Sequence, residues 1–236
     1  MATQSLPPTK VIIIGAGFSG VTMACTLQLR LGIDDTVSTT ATLRLAVRGM
    51  QTHVSAPRPD GPRISNQFWH NLIKVEDPGC AVDIPGFCYT LSFAPKHVFS
   101  RVYPPQTEIL EYLTSVAKRF NVQRHFTGSA EWRGCQWNDA TQTWIIEVED
   151  TVSGQRYTQT CQVLVSCVGG LTNARHVMFP GMGNFQGVVM HTAEWDHTIN
   201  FSGKRVAVIG NGGREPCLLA TYLGADMTLV QLRQLS

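Results

Sequence analysis

The chain has 236 residues, of which 43% are hydrophobic, so it is long enough to bury a substantial core and is not a disordered chain. Its 19 basic and 17 acidic residues leave a net charge of +2, which excludes electrostatic recruitment of nucleic acid or of an anionic membrane surface. The apolar run from Val11 to Ile14 is too short for a signal sequence or a membrane span. We therefore expect a cytoplasmic protein whose partners are small molecules.

The first element in chain order is a strand, a glycine turn and a helix. Val11 to Ile14 form a short β-branched run, and Val21 to Leu31 have apolar residues at helical spacing. Between them, glycines 15, 17 and 20 have the spacing that permits a sharp turn, close backbone approach to a pyrophosphate and tight packing of helix on strand. We predict that Gly15, Gly17 and Gly20 bind the phosphates of a dinucleotide, the alternative being a glycine turn without a functional role.

Segment 36–77 differs from the rest of the chain. From Thr36 to Lys74 it has five basic residues against one acidic residue, it is interrupted by prolines, and it shows no strand alternation. A dinucleotide site needs a carboxylate at the end of its second strand, about 20 residues after the glycines and thus near Thr40, to hold the ribose hydroxyls. The first 20 residues of the segment contain no Asp or Glu. We expect an irregular segment without the second strand and without the ribose ligand.

The middle of the chain predicts one helix and several strands. Apolar residues fall on one face of a helix from Pro105 to about Phe120. Alternation predicts strands at 144–148 and 163–167, with residues 150–154 as a turn between strands. Seven cysteines, an odd number without a CxxC pair or a zinc-like Cys/His spacing, indicate free thiols and no metal site.

A second strand and glycine turn occur near the end of the chain. The strand Arg205 to Ile209 leads into Gly210, Asn211, Gly212 and Gly213, and helical character follows at 218–223. The pattern thus recurs roughly 195 residues after the first one, which suits two separate nucleotide-binding units rather than a repeat array. The predicted fold class is α/β, with one Rossmann-like domain followed by the start of a second.

A third pattern lies just before the second strand. Residues Phe185 to Asp196 read F-x-G-x-x-x-H-x-x-x-W-D. For His191 or Trp195 alone, a buried core pair near a turn would be the simpler interpretation. The full pattern resembles the fingerprint of Baeyer–Villiger monooxygenases, a branch of the class B flavoprotein monooxygenases, and segments such as 78–85, 89–93 and 105–110 resemble stretches that occur in the same order in that family.

The resemblance implies two cofactors and a division of the chain. FAD would bind a domain at residues 1–180, NADPH would bind the start of a domain at residues 204–236, and residues 181–203 would be the linker that carries the fingerprint. One oxygen atom from O2 would be inserted into a ketone, or a soft heteroatom would be oxidised, while the cofactors carry the redox chemistry.

The resemblance also assigns site residues. Asp83 takes the place of a carboxylate beside the isoalloxazine, the alternative being a turn residue that caps a backbone N–H, and Tyr89 takes that of a flavin contact. With Asp83, the candidate catalytic residues are His191 and Trp195, which would act through the linker as structural and gating residues. Residues 210–213 would hold NADPH, and Arg233 would meet its 2′-phosphate unless it is an ordinary solvated arginine.

Departures from the family favour a second hypothesis. The ribose carboxylate is missing, Glu215 stands where a third small residue would face the NADPH pyrophosphate, and no residue takes the role of the family's active-site arginine. The alternative is therefore a catalytically inactive, truncated pseudoenzyme or a gene-model fragment of that family. A flavin disulfide reductase would need a redox CxxC, which the sequence lacks.

Overall fold

The structure is a computed structural model that describes residues 3–39, 81–128, 130–150, 153–169, 178, 180–191, 196, 198–209 and 226–230. Its two longer helices are α1 (Phe18–Leu31) and α2 (Gln106–Arg119). The strands in chain order are β1 (Gln4–Ser5), β2 (Thr9–Ile14), β3 (Thr36–Thr39), β4 (Phe126–Thr127), β5 (Ala130–Asn138), β6 (Thr143–Asp150), β7 (Arg156–Ser166), β8 (Arg205–Ile209) and β9 (Asp226–Val230).

Seven strands form one mixed sheet. Its order is β4-β3-β2-β7-β6-β5, and β1 also pairs with β7. The strands β4, β3, β2 and β7 run parallel, whereas β6 and β5 continue the sheet as antiparallel neighbours. The predicted helix and the strands of the middle region are confirmed, because α2 begins after Pro105, and β6 and β7 flank the predicted turn.

Strand β2 lies between two separate cores. Val11 and Ile13 pack with residues of α1 and α2, whereas Ile12 and Ile14 join a cluster that contains Ile146 of β6. A central parallel strand has both faces covered, so it reads as a continuous apolar run rather than as an alternation. This double burial explains the run of β-branched residues before the glycine turn.

Strand β7 is shared by the parallel and antiparallel parts of the sheet. Its second half pairs with β2, and its first half pairs with β6. Cys161 lies at the changeover, opposite both Thr9 and Trp144, and only 1% of its surface is exposed. The two parts of the sheet therefore meet within a single strand of 11 residues.

The prediction that segment 36–77 lacks the second strand is wrong for its first residues. Thr36–Thr39 form β3, which pairs in parallel with β2 on one side and with β4 on the other. Three of these four residues are β-branched, but the strand is too short and too polar to show an alternation, and its neighbours supply its hydrogen bonds. Residues 40–77 lie outside the described residues.

The second predicted strand is confirmed as β8, which pairs in parallel with β9 from Arg205↔Asp226 to Ile209↔Val230. Parallel neighbours need a crossover connection, and the predicted helix at 218–223 lies in that connection, outside the described residues. The α/β fold class is confirmed. The domain boundaries at 180 and 203 remain a prediction. Within the described ranges, neither helix is long and apolar enough to cross a membrane.

The cysteines that the structure describes are free thiols, as predicted. Burial raises the pKa of Cys25 to about 11 and also raises the pKa values of Cys161 and Cys167. A raised thiol pKa keeps the group protonated and poorly nucleophilic at neutral pH. These three side chains therefore act as small apolar residues.

Candidate dinucleotide-binding site

The glycine turn is built where two parallel strands end. The backbone amide of Cys167, just past the end of β7, donates to the carbonyl oxygen of Ile14 over 2.7 Å. Gly15 has a φ of +106°, and a Cβ there would lie 2.3 Å from the carbonyl oxygen of Cys167. A Cβ at Gly20 would lie 2.0 Å from the carbonyl oxygen of Gly15. Neither position has room for a side chain, so the glycines at 15 and 20 are required by this geometry.

The turn presents the start of α1 to a ligand. Gly17 is the residue that precedes the helix, no side chain caps this end, and the first turn contains no acidic residue. The first amides of a helix have no intrahelical acceptor and carry the positive end of the helix dipole, which together favour an anion. A glycine cradle at the carboxyl ends of parallel strands, opening onto such a helix, fits the diphosphate of a dinucleotide.

The carboxylate closest in sequence to β3 lies at the opposite end of that strand. Asp35 accepts hydrogen bonds from the Thr9 hydroxyl at 2.7 Å and from the Lys10 amide at 3.0 Å. Thr9 begins β2 and Asp35 directly precedes β3, so this carboxylate lies at the amino ends of the strands. Asp35 therefore does not replace the missing ribose ligand at the carboxyl ends.

Asp34 belongs to another cluster, with Arg124 and His125. The Arg124 guanidinium donates to Asp34 Oδ1, and its Nε–H donates to His125 Nε2 over 3.1 Å. The Arg124 hydrogen bond holds the pKa of Asp34 below its usual value. Burial, together with the Arg124 charge, lowers the pKa of His125. His125 Nε2 also lies 3.1 Å from Asp34 Oδ1, so the three side chains form one cluster. The cluster ties the loop after α1 to the segment that leads into β4.

The structure brings Tyr89 to the glycine turn. Tyr89 ends a 3-10 turn over Gly86–Tyr89, and its ring packs against Phe18 with a centroid distance of 5.8 Å. Phe18 is the first residue of α1 and directly follows Gly17. Asp83 is exposed and lies six residues before Tyr89 on the same loop. Tyr89 thus lies beside the start of α1, and the roles of Tyr89 and Asp83 at the flavin remain predictions.

Two side chains of α2 that we did not predict hold the loop at 81–105. Glu108 accepts hydrogen bonds from the amide and hydroxyl of Ser100 at 3.2 and 2.6 Å. The hydroxyl of Tyr112 accepts from the amide of Leu91 and donates to the carbonyl oxygen of Ala94, both at 2.8 Å. The position of Tyr112 on the apolar face of the predicted helix could have indicated a buried hydroxyl that needs a hydrogen-bond partner.

The fingerprint is only partly described. The exposed Phe185 ring lies 2.5 Å from the position that a Cβ at Gly187 would take. Asp196 accepts hydrogen bonds from the amide and hydroxyl of Thr198 at 2.9 and 2.7 Å, and its own amide donates to the sulfur of Met190 at 3.2 Å. His191 is half-buried.

Several predicted site residues lie outside the described residues, and their roles remain predictions. They are Trp195 of the fingerprint, the second glycine turn with Gly210, Asn211, Gly212 and Gly213, the neighbouring Glu215, and Arg233. The strands on either side of that turn are in place as β8 and β9.

Comparisons with known proteins agree with this geometry. The model of the flavin-binding monooxygenase-like family matches residues 87–232. The chain is 34% identical to a Baeyer–Villiger monooxygenase of Streptomyces coelicolor over 203 residues, which cover 86% of the chain and 33% of that protein. It is 31% identical to an FAD-binding monooxygenase, ktnD, of Aspergillus niger over 207 residues, which cover 86% of the chain and 30% of that protein.

Solved structures show the same relationship. A cyclohexanone monooxygenase mutant from Rhodococcus sp. Phi1 bound to NADP+ superposes with a TM-score of 0.69 and 27% identity, over 98% of the chain and 40% of that structure. An open structure of cyclohexanone monooxygenase gives a TM-score of 0.67 and 26% identity, over 99% of the chain and 41% of that structure. The chain spans about a third of the length of the curated relatives it matches. Since the family model matches more than half of its residues, this chain belongs to the flavin-binding monooxygenase-like family.

Proposed function

We propose that the chain binds FAD at the turn from Gly15 to Gly20 and takes part in an NADPH-dependent monooxygenase reaction that inserts one oxygen atom of O2 into a ketone. One observation carries the proposal. The glycine turn leaves no room for a Cβ at Gly15 or Gly20, and it opens onto an uncapped helix start at the carboxyl ends of β2 and β7. This arrangement fits the diphosphate of FAD.

The residues of the first unit, proposed as 1–180, have distinct roles. The amides at the start of α1 would bind the diphosphate. The ring of Tyr89, which packs against Phe18 at the start of this helix, would contact the flavin. Asp83, an exposed residue of the same loop, would contact the isoalloxazine of bound FAD. The flavin and the nicotinamide supply the redox chemistry when bound, while the chain's residues bind and orient them and keep water from the reacting atoms.

The second unit, proposed as 204–236, binds NADPH. The parallel pair β8 and β9 is the start of a Rossmann-like sheet, and the glycines at 210, 212 and 213 follow β8 directly in sequence. A similar cyclohexanone monooxygenase was solved with NADP+ bound. Arg233 follows β9 and meets the 2′-phosphate. The proposed linker, 181–203, carries His191 and Trp195 as gating residues between the two units. We place the protein in the cytoplasm.

The ketone is the substrate class that the relatives favour. Two of the similar curated proteins are Baeyer–Villiger monooxygenases, from Streptomyces coelicolor and Pseudomonas aeruginosa, the second 32% identical over 220 residues. Oxidation of a soft heteroatom is the related reaction that the same flavin chemistry would permit. A cyclic ketone is therefore the first substrate to test.

A second candidate function is flavin binding without turnover, and the position of Asp35 favours it. This carboxylate is bonded to Thr9 and Lys10 at the amino ends of the strands, and residues 36–59 contain no Asp or Glu that could take the place of the ribose ligand. A hydrogen bond to a charged group contributes about 1.5–3 kcal/mol, so its loss weakens cofactor binding by about one to two orders of magnitude. Weaker binding lowers the fraction of chain that carries a cofactor.

The test uses the full chain with added FAD. We expect the wild type to perturb the flavin absorption spectrum and to bind FAD saturably. Gly15→Ala should weaken the affinity by about 10- to 100-fold, because the new methyl group meets a backbone carbonyl and φ is positive. Gly134→Ala is the matched control, since a Cβ at Gly134 meets nothing within 4 Å. Far-UV circular dichroism shows whether each variant is folded.

Turnover is measured in the same samples. Ketone-dependent oxidation of NADPH, with formation of an ester or lactone from cyclohexanone, would support the monooxygenase and rule out the inactive candidate. Saturable FAD binding without ketone-dependent oxidation would support the second candidate. A folded wild-type chain that leaves the flavin spectrum unchanged would contradict both.

A further inference from the structure

We propose that Tyr112 is a positioning residue for the flavin, because its hydroxyl fixes the turn at residues 91–94 and thereby the neighbouring Tyr89 against the start of α1. This inference rests on the proposed binding of FAD and names a residue that acts through the loop rather than by touching the cofactor.

The hydroxyl of Tyr112 joins both ends of one turn. It accepts the amide hydrogen of Leu91 and donates to the carbonyl oxygen of Ala94, each over 2.8 Å. The amide of Ala94 in turn donates to the carbonyl oxygen of Leu91 over 2.9 Å, which closes the turn. Tyr112 is only 6% exposed, so water does not compete for these bonds. One side chain of α2 therefore fixes the backbone of the whole turn.

The fixed turn adjoins the residue that borders the cofactor site. Leu91 lies two residues after Tyr89, whose ring packs against Phe18 at the start of α1. On the far side of the turn, Phe93 packs edge-on against Phe120 with a centroid distance of 5.4 Å. Tyr89 therefore contacts α1 through its ring and is followed, two residues later, by a turn that is tied to α2.

Burial and chemistry suit Tyr112 to this role. Desolvation raises the pKa of its hydroxyl, so the group stays protonated and can donate to Ala94 throughout the neutral and mildly alkaline range. Its ring lies in the core between the helices and β2, which a phenylalanine ring would fill equally well. Tyrosine thus differs from phenylalanine at this position only by the two hydrogen bonds that its hydroxyl makes to the loop.

The loop between residues 84 and 103 is covered unevenly. Ala94 is buried in the core, and Leu91 and Phe93 pack against it. Phe87 is 69% exposed, and Val98 and Val102 are also exposed. The second tie from α2, Glu108 to Ser100 and Lys96, lies near the surface and holds the far end of the loop. Before Tyr89, the Gly86 amide donates to the carbonyl oxygen of Val102 over 2.8 Å, and after it Tyr112 holds the turn at residues 91–94.

The test compares Tyr112→Phe with Tyr157→Phe. Tyr157 lies on β7, and its hydroxyl has no hydrogen-bond partner among the residues that the structure describes. We expect Tyr112→Phe to weaken FAD binding by about tenfold, equivalent to about 1.4 kcal/mol, and Tyr157→Phe to leave it unchanged. At saturating FAD, the visible circular dichroism of the bound flavin should change in Tyr112→Phe alone, a signature that loss of stability by itself does not produce.

Each outcome decides between the proposals. A wild-type chain that binds no FAD overturns both the proposed function and this inference. A wild type that binds FAD, with Tyr112→Phe equal to it in affinity and in flavin dichroism, overturns the inference alone. Lower thermal stability with unchanged affinity and dichroism also overturns it, because Tyr112 would then be structural only.

A measurement on the wild type covers the case in which Tyr112→Phe does not fold. Hydrogen–deuterium exchange is followed by mass spectrometry with and without FAD. We expect FAD to slow exchange in peptides that span residues 15–21 and also in those that span residues 86–94. Slowing at 15–21 alone would show that the turn is not part of the flavin site and would overturn the inference.

Discussion

The carboxylate of Asp35 accepts a hydrogen bond of 2.7 Å from the hydroxyl of Thr9, which joins the amino ends of β2 and β3. A second bond, from the Lys10 amide at 3.0 Å, completes the contact. We expect Asp35→Ala to lower the free energy of unfolding by about 1.5 kcal/mol, the lower end of the range for a hydrogen bond to a charged group, because Asp35 itself is exposed. Urea denaturation measures this change.

The same variant separates stability from cofactor binding. Asp35 lies at the end of the sheet away from the glycine turn, so Asp35→Ala should leave FAD affinity within twofold of the wild type, where about twofold corresponds to a few tenths of a kcal/mol. Glu111→Ala, on the exposed side of α2, is the control for loss of a surface carboxylate. A large loss of FAD affinity in Asp35→Ala would contradict the assignment of Asp35 to the structural end.

His125 makes stability depend on pH. Burial lowers its pKa below the ordinary value of 6.5. Below pH 6.5, His125 therefore binds a proton in the unfolded chain but stays neutral in the folded chain until the pH reaches the lower, folded pKa. The stability that the neutral His125 contributes is thus complete above pH 6.5 and is lost as the pH falls through the folded pKa. We expect the midpoint of thermal unfolding to drop between pH 7.5 and pH 5.5, and His125→Gln to show a smaller drop. Equal drops would exclude His125 as the titrating group.

Phe126 is a buried anchor of the sheet edge. It begins β4, is 2% exposed and packs in the core with α2. Removal of a buried phenylalanine ring costs about 3–5 kcal/mol through lost burial and the cavity that remains. We expect Phe126→Ala to unfold the chain or to lower its urea midpoint strongly, whereas Phe87→Ala, at an exposed phenylalanine, should leave the midpoint nearly unchanged.

A carboxylate placed after β3 should restore a ribose contact. Thr40 follows β3 in the sequence, at the position where the ribose ligand of a dinucleotide site is expected. We expect Thr40→Glu to tighten FAD binding by about 10-fold or more, since a charged hydrogen bond contributes about 1.5–3 kcal/mol. Thr40→Gln is the neutral control and should give a smaller gain. Equal gains in the two variants would rule out a charge effect.

The sequence predicted those parts of the fold that local patterns determine. The run Val11 to Ile14 and the glycines after it specify β2, the turn and α1, because sterics and burial act there within a few residues. Strand β3 was missed since its four residues owe their conformation to β2 and β4, which lie far from it in sequence. Long-range pairing of this kind leaves no local pattern.

The candidate site was predictable to a similar degree. Tyr89 was found by resemblance, and the structure adds its packing on Phe18. Tyr112 falls within the predicted helix, but the sequence pattern does not show which backbone groups its hydroxyl bonds, namely those of Leu91 and Ala94. A side chain that acts on the backbone of a distant turn becomes visible only when both elements are placed in space.

The shared strand β7 has a mechanical consequence. Residues 156–161 pair with β6 and residues 161–166 pair with β2, so the antiparallel and parallel parts of the sheet both depend on this one strand. If the antiparallel hairpin frays, the parallel part loses its anchor at Cys161, and the carbonyl group that shapes the glycine turn is released with it. The large sheet should therefore unfold as one cooperative unit. A proteolytic cut at residues 153–155, just before β7, should also perturb the glycine turn at the other end of the same strand.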